Sequence, residues 1–191
     1  MSKLGIQSVR YSKMDESENY SGAKEIGTLV TFNGTPNNVS VDDYGDNGVV
    51  ESNRSVNQIA LSMEMNELAG KEYADLCGHT YDEETKKVTV KTTDNAPYVG
   101  IGAIGNSERK GRAVYVLKFY PKMQFSDPTD ENSTETETKE YKHSTVEGTG
   151  MPNKEKVLKV EQEFDTLEEA QEALDKLLEA PAEEAGGGSE Q

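Results

Sequence analysis

The most recognisable chemical pattern is the run Gly100-Ile101-Gly102-Ala103-Ile104-Gly105, which has the GxGxxG spacing of a dinucleotide-binding turn. That chemistry requires a helix beginning at the turn, whose N-terminus faces a pyrophosphate, and an acid about 20 residues later for the ribose. Here a turn-like segment and then a strand pattern follow, and Tyr120-Pro121-Lys122 lies where the acid belongs. The pattern therefore favours a strand or bend whose small residues let another backbone approach closely.

Metal ligands and nucleophiles are sparse, because Cys77 is the only cysteine and His79 and His143 are the only histidines. Cys77-x-His79 offers two ligands where a metal site needs three or four. A nucleophile pair of Cys77 and His143 is conceivable. However, Cys77 falls on the apolar face of a short helical pattern, where cysteine is usually a small core residue. We therefore predict no metal site, no cofactor, no catalytic residue and no enzymatic activity.

The acidic segment Asp42–Gly48 invites comparison with a calcium-binding loop. A loop that starts at Asp43 puts Arg54 at its twelfth position, where a bidentate glutamate belongs. A loop that starts at Asp42 puts Asn47 where glycine is required. Both registers fail, and the segment reads as a turn or solvated loop.

Composition and charge exclude several classes of protein. Apolar residues make up 33% of the 191 residues and charged residues 29%, so part of the chain is expected to lie outside any core. The net charge is −16, and the end from Glu161 to Gln191 carries −10 of it, which leaves no basic patch for nucleic acid. The N-terminus lacks a signal-peptide pattern, and no apolar run is long enough to span a membrane. We expect a soluble protein made in the cytoplasm.

Strand patterns dominate the chain, and seven or eight of them mostly follow one another directly. Ile26–Phe32 is one, closed by a turn signal at 33–36. Residues 55–66 alternate with period two and place Ile59, Leu61, Met63 and Met65 on one face. A short helix should follow, with Asn66 as its N-cap and Gly78 at its end.

Within the strand pattern Arg112–Phe125, apolar residues fall on both faces from Ala113 to Tyr120, which predicts cover on both sides by a second layer or by a neighbouring subunit. Gly148, Gly150 and Pro152 indicate a break, and Val157–Phe164 a last strand. The predicted fold is mainly β, an antiparallel sandwich or barrel with one or two peripheral helices that oligomerises through its sheets.

The C-terminal end carries the clearest helix signal. Thr166 and Glu169 form a capping box, and Pro181 ends the pattern. The predicted organisation is a β domain at 1–165, an amphipathic helix at 166–180 and a flexible acidic tail at 181–191.

Residues 97–125, PYVGIGAIGNSERKGRAVYVLKFYPKMQF, resemble the major tail proteins of long-tailed phages of Gram-positive bacteria. In that family a strand ending in a GxG bend leads through a charged turn to a long strand, here Tyr115–Phe125. A polar T-E-T segment follows, here Thr134–Thr138. The opening LGIQSVRYSKM and the helix with Leu68-Ala69-Gly70 also follow the family's order, so that the resemblance covers roughly residues 4–165.

What the resemblance implies is a tail tube protein, whose β core forms rings, usually hexameric, that stack into the conduit for the genome. The implied partners are other copies of the chain, the tape measure protein, and the tail terminator and distal tail proteins. Genomic DNA would pass through without specific binding, no membrane is involved, and the protein would reside in the virion tail after assembly in the host cytoplasm. Segments 12–24, 33–54 and 126–133 are candidates for contacts between rings.

The resemblance also suggests a role for the polar stretch TETETKEYKH at 134–143. As a strand it places Glu135, Glu137 and Lys139 on one face, and we predict that this face lines the channel, where excess carboxylate repels phosphate. A solvated edge strand or loop is the alternative. For the whole chain, the alternatives are the tube of a contractile or bacteriocin-like particle and a monomeric β-sandwich binding module.

Overall fold

The fold is known from a computed structural model that describes residues 2–45, 48–66, 68–109, 111–128 and 143–179. Strands account for 54% of the structure and helices for 14%, with antiparallel sheets, which confirms the predicted mainly β class with two peripheral helices. The strands are β1 (Ser2–Lys13), β2 (Lys24–Glu25), β3 (Leu29–Gly45), β4 (Gly48–Met65), β5 (Thr80–Asp82), β6 (Lys87–Thr89), β7 (Val99–Arg109), β8 (Arg112–Phe125), β9 (Ser144–Gly150) and β10 (Val160–Phe164). The helices are α1 (Gly70–Cys77) and α2 (Leu167–Leu178).

The main sheet runs in the order β2-β1-β7-β8-β9-β4-β3, and every pairing in it is antiparallel. β8 has two further partners along its length. Its residues 115–119 pair with β10, whereas residues 123–125 pair with β9. The sheet therefore branches along β8.

The larger core lies under the predicted period-two face of β4. Ile59, Leu61, Met63 and Met65 are all buried, which confirms that face and its direction. They pack with residues of β1, β7, β8, β9 and α1 in one cluster. Burial of alternate residues along β4 therefore sets the register of this half of the sheet.

The second core lies on the other side of β8, under α2. The helix buries Ala170, Leu174 and Leu178 against Leu117 and Phe119 of β8. The face of β8 that carries Leu117 and Phe119 is thus covered by a second layer of the same chain. On the opposite face Tyr120 is buried in the larger core, whereas Val114 and Val116 are only half-buried, so the predicted cover is complete on one face and partial on the other.

The GxGxxG run lies within β7, which confirms the strand interpretation. A side chain at Gly102 would overlap Leu174 Cδ1 of α2, and a Cβ at Gly100 would lie 2.5 Å from Tyr20 Cε1 and 3.2 Å from Leu178 Cδ2. The close approach that the glycines permit is therefore made by side chains of α2 and a loop, and not by another backbone.

Two predicted breaks are wrong, and the predicted turn or loop at Asp42–Gly48 belongs in its described residues to β3 and β4. The turn at 33–36 is instead part of β3, where Pro36 lies opposite Ile59. β3 is the last strand of the sheet order, and an edge strand tolerates a proline that cannot donate a ladder hydrogen bond. The break at Gly148 and Gly150 is instead β9, where a Cβ would meet Phe125 and Met123 at 2.6 Å.

The two helices differ in how well the sequence locates them. Thr166 caps α2 as predicted, because its side chain accepts a hydrogen bond from the Glu169 N–H at 3.3 Å. α1 begins later than predicted, with Ala69 as its N-cap and no side-chain capping bond, so the role predicted for Asn66 is wrong. Its predicted end is confirmed, since Gly78 takes the left-handed conformation with φ 80°.

We expect Gly102→Ala to lower the free energy of unfolding by about 1–3 kcal/mol, because the added methyl group overpacks a fully buried contact. Urea denaturation measures the change. In a Leu174→Ala background the same substitution should cost much less, since the overlapping methyl groups of the leucine are gone.

The control is Gly105→Ala on the same strand, where the nearest atom to the new Cβ is 3.6 Å away. This variant should stay within about 0.5 kcal/mol of the parent. Equal losses in the two single variants would contradict the packing interpretation.

Candidate functional site: a projecting ribbon and a buried histidine

A long two-stranded ribbon projects from the main sheet. β3 and β4 pair with each other along their whole length, up to Gly45 opposite Gly48. β9 pairs with β4 only over Ile59–Met65. Among the described strands, the part of the ribbon beyond Pro36 and Ile59 therefore pairs only with itself.

The described side chains of this outer ribbon face solvent. Residues 33–39 of β3 and 55–58 of β4 are exposed, and they include two large apolar side chains, Val39 at 38% and Val56 at 42% exposure. At about 3.3 Å per residue, the part beyond Pro36 reaches roughly 30 Å from the sheet. A two-stranded hairpin of this kind is at best marginally stable alone in water.

Of the three segments predicted to bridge rings, 33–54 forms such a projection in its described residues. The loop within 12–24 is instead bound to the body of the protein. Both carboxylate oxygens of Glu18 accept hydrogen bonds at 2.7 Å, one from Lys122 Nζ and one from the Lys154 N–H. Most of 126–133 lies outside the described residues.

The predicted channel-lining residues Glu135, Glu137 and Lys139 also lie outside the described residues. The structure describes the chain again from His143, whose Nδ1 lies 2.9 Å from Glu64 Oε1 of β4. His143 therefore contacts β4. The contacts described for Cys77 and for His143 do not include one another, so the structure does not bring the candidate nucleophile pair together.

A second feature is a group of polar side chains around His79, directly after α1. The left-handed turn at Gly78 directs the chain so that the His79 side chain is only 3% exposed. Its Nδ1 lies 3.0 Å from Asp94 Oδ2 and its Nε2 lies 2.7 Å from Asp127 Oδ1. A ring with a carboxylate at each nitrogen must carry a proton on both to make both bonds.

Burial lowers the pKa of His79, but the hydrogen bonds and charges of Asp127 and Asp94 outweigh burial and raise it above its ordinary value. Asp94 is itself oriented by the backbone, because its Oδ2 accepts a hydrogen bond from the Lys91 N–H at 2.9 Å. Tyr73 packs its ring edge-on to His79 at 5.0 Å and donates its hydroxyl to Asp127 at 3.3 Å.

Cys77 borders the same group. It is buried, as predicted for a small core residue, and its Sγ lies 3.6 Å from the carbonyl oxygen of Ser126. Burial, together with the hydrogen bond and charge of Asp127, raises the pKa of the thiol to about 12. The thiolate that nucleophilic catalysis requires is thereby disfavoured.

The sequence provides Cys77 and His79 but gives no signal for their partners. Asp94 and Asp127 lie 15 and 48 residues beyond His79 and belong to loops of unremarkable composition. Only the packing of α1 against the main sheet brings the three segments together.

Comparisons with known proteins add no family: the chain matches no protein-family model and no curated protein. In the part of the chain that the structure describes, no helix is long and apolar enough to cross a membrane.

The position of α1, and with it Cys77, depends on Asp75. This carboxylate lies 2.7 Å from both Lys13 Nζ and Lys24 Nζ and accepts a hydrogen bond from the Tyr11 hydroxyl at 3.2 Å. Burial raises the pKa of Asp75, but the two lysines outweigh burial and lower it below its ordinary value. A carboxyl of this kind stabilises the fold above its unfolded-state pKa, and the stabilisation is lost as the pH falls through the folded-state pKa.

We expect Asp75→Asn to lower the free energy of unfolding by about 1–2 kcal/mol at pH 7. The difference from the parent should begin to shrink as the pH falls below about 4, the ordinary pKa of the carboxyl, and should disappear only below the lowered pKa of the folded state, where the parent carboxyl also becomes neutral. Urea denaturation across pH measures it. Glu83→Gln is the control, because the Glu83–Lys71 pair is 73% and 58% exposed and solvent-exposed pairs of this kind contribute little to stability. A loss in Asp75→Asn that does not vary with pH contradicts the electrostatic explanation.

Proposed function

We propose that this protein is a structural subunit that assembles with copies of itself into stacked rings, as the tail tube of a long-tailed phage. The observation that carries the proposal is the outer ribbon of β3 and β4, which leaves the sheet and is covered by no other described strand. Such a ribbon gains stability when a second copy pairs with it or buries its exposed valines.

The occupant of this surface is a second copy of the chain, for three reasons. The ribbon has a free strand edge on each side beyond Pro36, and edges of this kind are satisfied by strands of a neighbour. When subunits close into a ring, each strand edge pairs with a neighbour, and no free edge remains to promote aggregation. The order of sequence features also resembles that of tail tube proteins, a family that forms rings.

One argument from the sequence supports assembly less strongly than expected. The double-faced apolar pattern of β8 is consistent with sheets that continue between subunits, but α2 covers one of the two faces within the chain. The proposal therefore rests on the ribbon and on the resemblance. The tube of a contractile or bacteriocin-like particle would use the same surface and remains the alternative.

We expect the purified protein to form rings or tubes as its concentration rises, because association buries the ribbon. Negative-stain microscopy and sedimentation velocity over a concentration series measure this. Val39→Asp combined with Val56→Asp should leave the monomer folded and abolish the assemblies, since a carboxylate at each site would be desolvated in the contact.

Val90→Asp is the matched control, because Val90 is a 55% exposed valine outside the ribbon. It should assemble like the parent. A parent protein that stays monomeric at high concentration overturns the proposal. If the ribbon double variant assembles as well as Val90→Asp, the ribbon is not the surface through which the copies associate.

The channel-lining hypothesis for Glu135, Glu137 and Lys139 has its own test. Reversal of two charges with Glu135→Lys and Glu137→Lys should leave tubes intact and slow genome ejection, because cationic side chains in the channel bind phosphate. Particles that carry the variant subunit provide the measurement.

The matched control reverses the same number of charges in the C-terminal end, with Glu183→Lys and Glu184→Lys. Its ejection rate should equal that of the parent. If the two double variants eject the genome at the same rate as the parent, Glu135 and Glu137 do not line the channel.

A further inference from the structure

The group around His79 has the ligand set of a transition-metal site. One donor atom each from Cys77, His79 and Asp127 lies within 4.8 Å of the other two. These donors are a sulfur, an imidazole nitrogen and a carboxylate oxygen, the set that zinc uses in proteins. The sequence argument against a metal here was that only two ligands were visible, and the structure supplies a third.

We propose that Cys77, His79 and Asp127 bind one Zn²⁺ ion, with water as the fourth ligand. The proposal goes beyond the assembly function and is independent of it. A tetrahedral zinc site with three protein ligands and an open position accommodates this arrangement.

The surroundings of His79 match those of a metal ligand. Its Nε2 points to Asp127, while its Nδ1 is held by Asp94, which in turn accepts a backbone N–H from Lys91. In metal sites a carboxylate on the second ring nitrogen orients the imidazole and makes it a better donor. Asp94 is therefore a positioning residue, and His79 needs no rotation to bind the ion through Nε2.

The adjustment needed for binding falls on the residue best able to move. Zinc at its usual bond lengths of about 2.0–2.3 Å places ligand atoms roughly 3.2–3.8 Å apart. The distance of 2.7 Å between His79 Nε2 and Asp127 Oδ1 must widen. The longest separation among the three donor atoms, which is at most 4.8 Å, must contract. The Asp127 side chain is 53% exposed, whereas His79 is 3% exposed, so Asp127 swings and the histidine stays. The same exposure admits the water.

The donor set also selects the metal. Mg²⁺ and Ca²⁺ prefer oxygen ligands throughout, and a thiol with an imidazole favours Zn²⁺ or its optical substitute Co²⁺. The ion would join the C-terminal end of α1 to the segment after β8, while Asp94 keeps its hydrogen bond with the second ring nitrogen of His79. Binding would release the Nε2 proton of His79 and the thiol proton of Cys77 to solvent, and three metal bonds would replace the proton-mediated contact between His79 and Asp127.

The experiment uses the full chain, treated with a chelator and then titrated with Zn²⁺ in a calorimeter and with Co²⁺ in a spectrophotometer. We expect one ion per chain and a near-ultraviolet thiolate-to-cobalt band. Asp127→Asn and Cys77→Ser should each abolish or strongly weaken zinc binding, and Cys77→Ser should remove the band. Asp94→Asn should weaken binding by about 10- to 100-fold.

His143→Asn is the matched control, since it removes the only other histidine and leaves the group intact. It should bind zinc like the parent. Asp127→Asn alters a largely exposed side chain and keeps the test valid if the buried variants do not fold. Absence of zinc binding by the parent overturns the proposal, as does binding that is unchanged in Asp127→Asn or lost in His143→Asn.

Discussion

The fold depends on the packing of β8 on both of its faces. One face packs into the core under β4, and the other receives α2, whose Leu174 occupies the space that a side chain at Gly102 would fill. Because interiors are packed at crystal-like density, this contact determines how closely α2 lies on the sheet. Arg10 of β1 then forms an ion pair with Asp175 of α2, which ties the helix to the neighbouring strand. The acidic C-terminal helix is thus part of the protein's core.

The ribbon is the opposite case within the same sheet. Where β9 accompanies it, β4 has a neighbouring strand on both edges and buries every second side chain, and its described side chains beyond the end of β9 are exposed. The inner half of the strand is stabilised by apolar burial, while the outer half pairs with β3 and its described side chains, at 55–58, are exposed. The apolar content of the chain is modest, and its buried apolar residues form two small cores. The exposed ribbon is the part whose stability must come from elsewhere.

The environment of His79 shows how three distant segments can create chemistry that none of them carries alone. Two carboxylates, a thiol and a tyrosine hydroxyl surround one buried imidazole. A buried charged group is costly unless it is paired, and here each ring nitrogen has its own carboxylate. The same side chains can hold either a proton on His79 Nε2 or, in our proposal, a metal ion. Because Asp127 is exposed and His79 is buried, only Asp127 has to move for the metal to bind.

The sequence by itself determined the fold class, the period-two face of β4, the capped start of α2 and the glycine that ends α1. These are local properties, because side-chain alternation, capping and backbone preference act within a few residues. The structure alone decided that 33–36 continues β3, that 144–150 is a strand, and that α2 covers β8. It alone brought Asp94 and Asp127 to His79. Each of these depends on contacts between residues far apart in the chain, and no local pattern encodes which distant surface a strand or a carboxylate will meet.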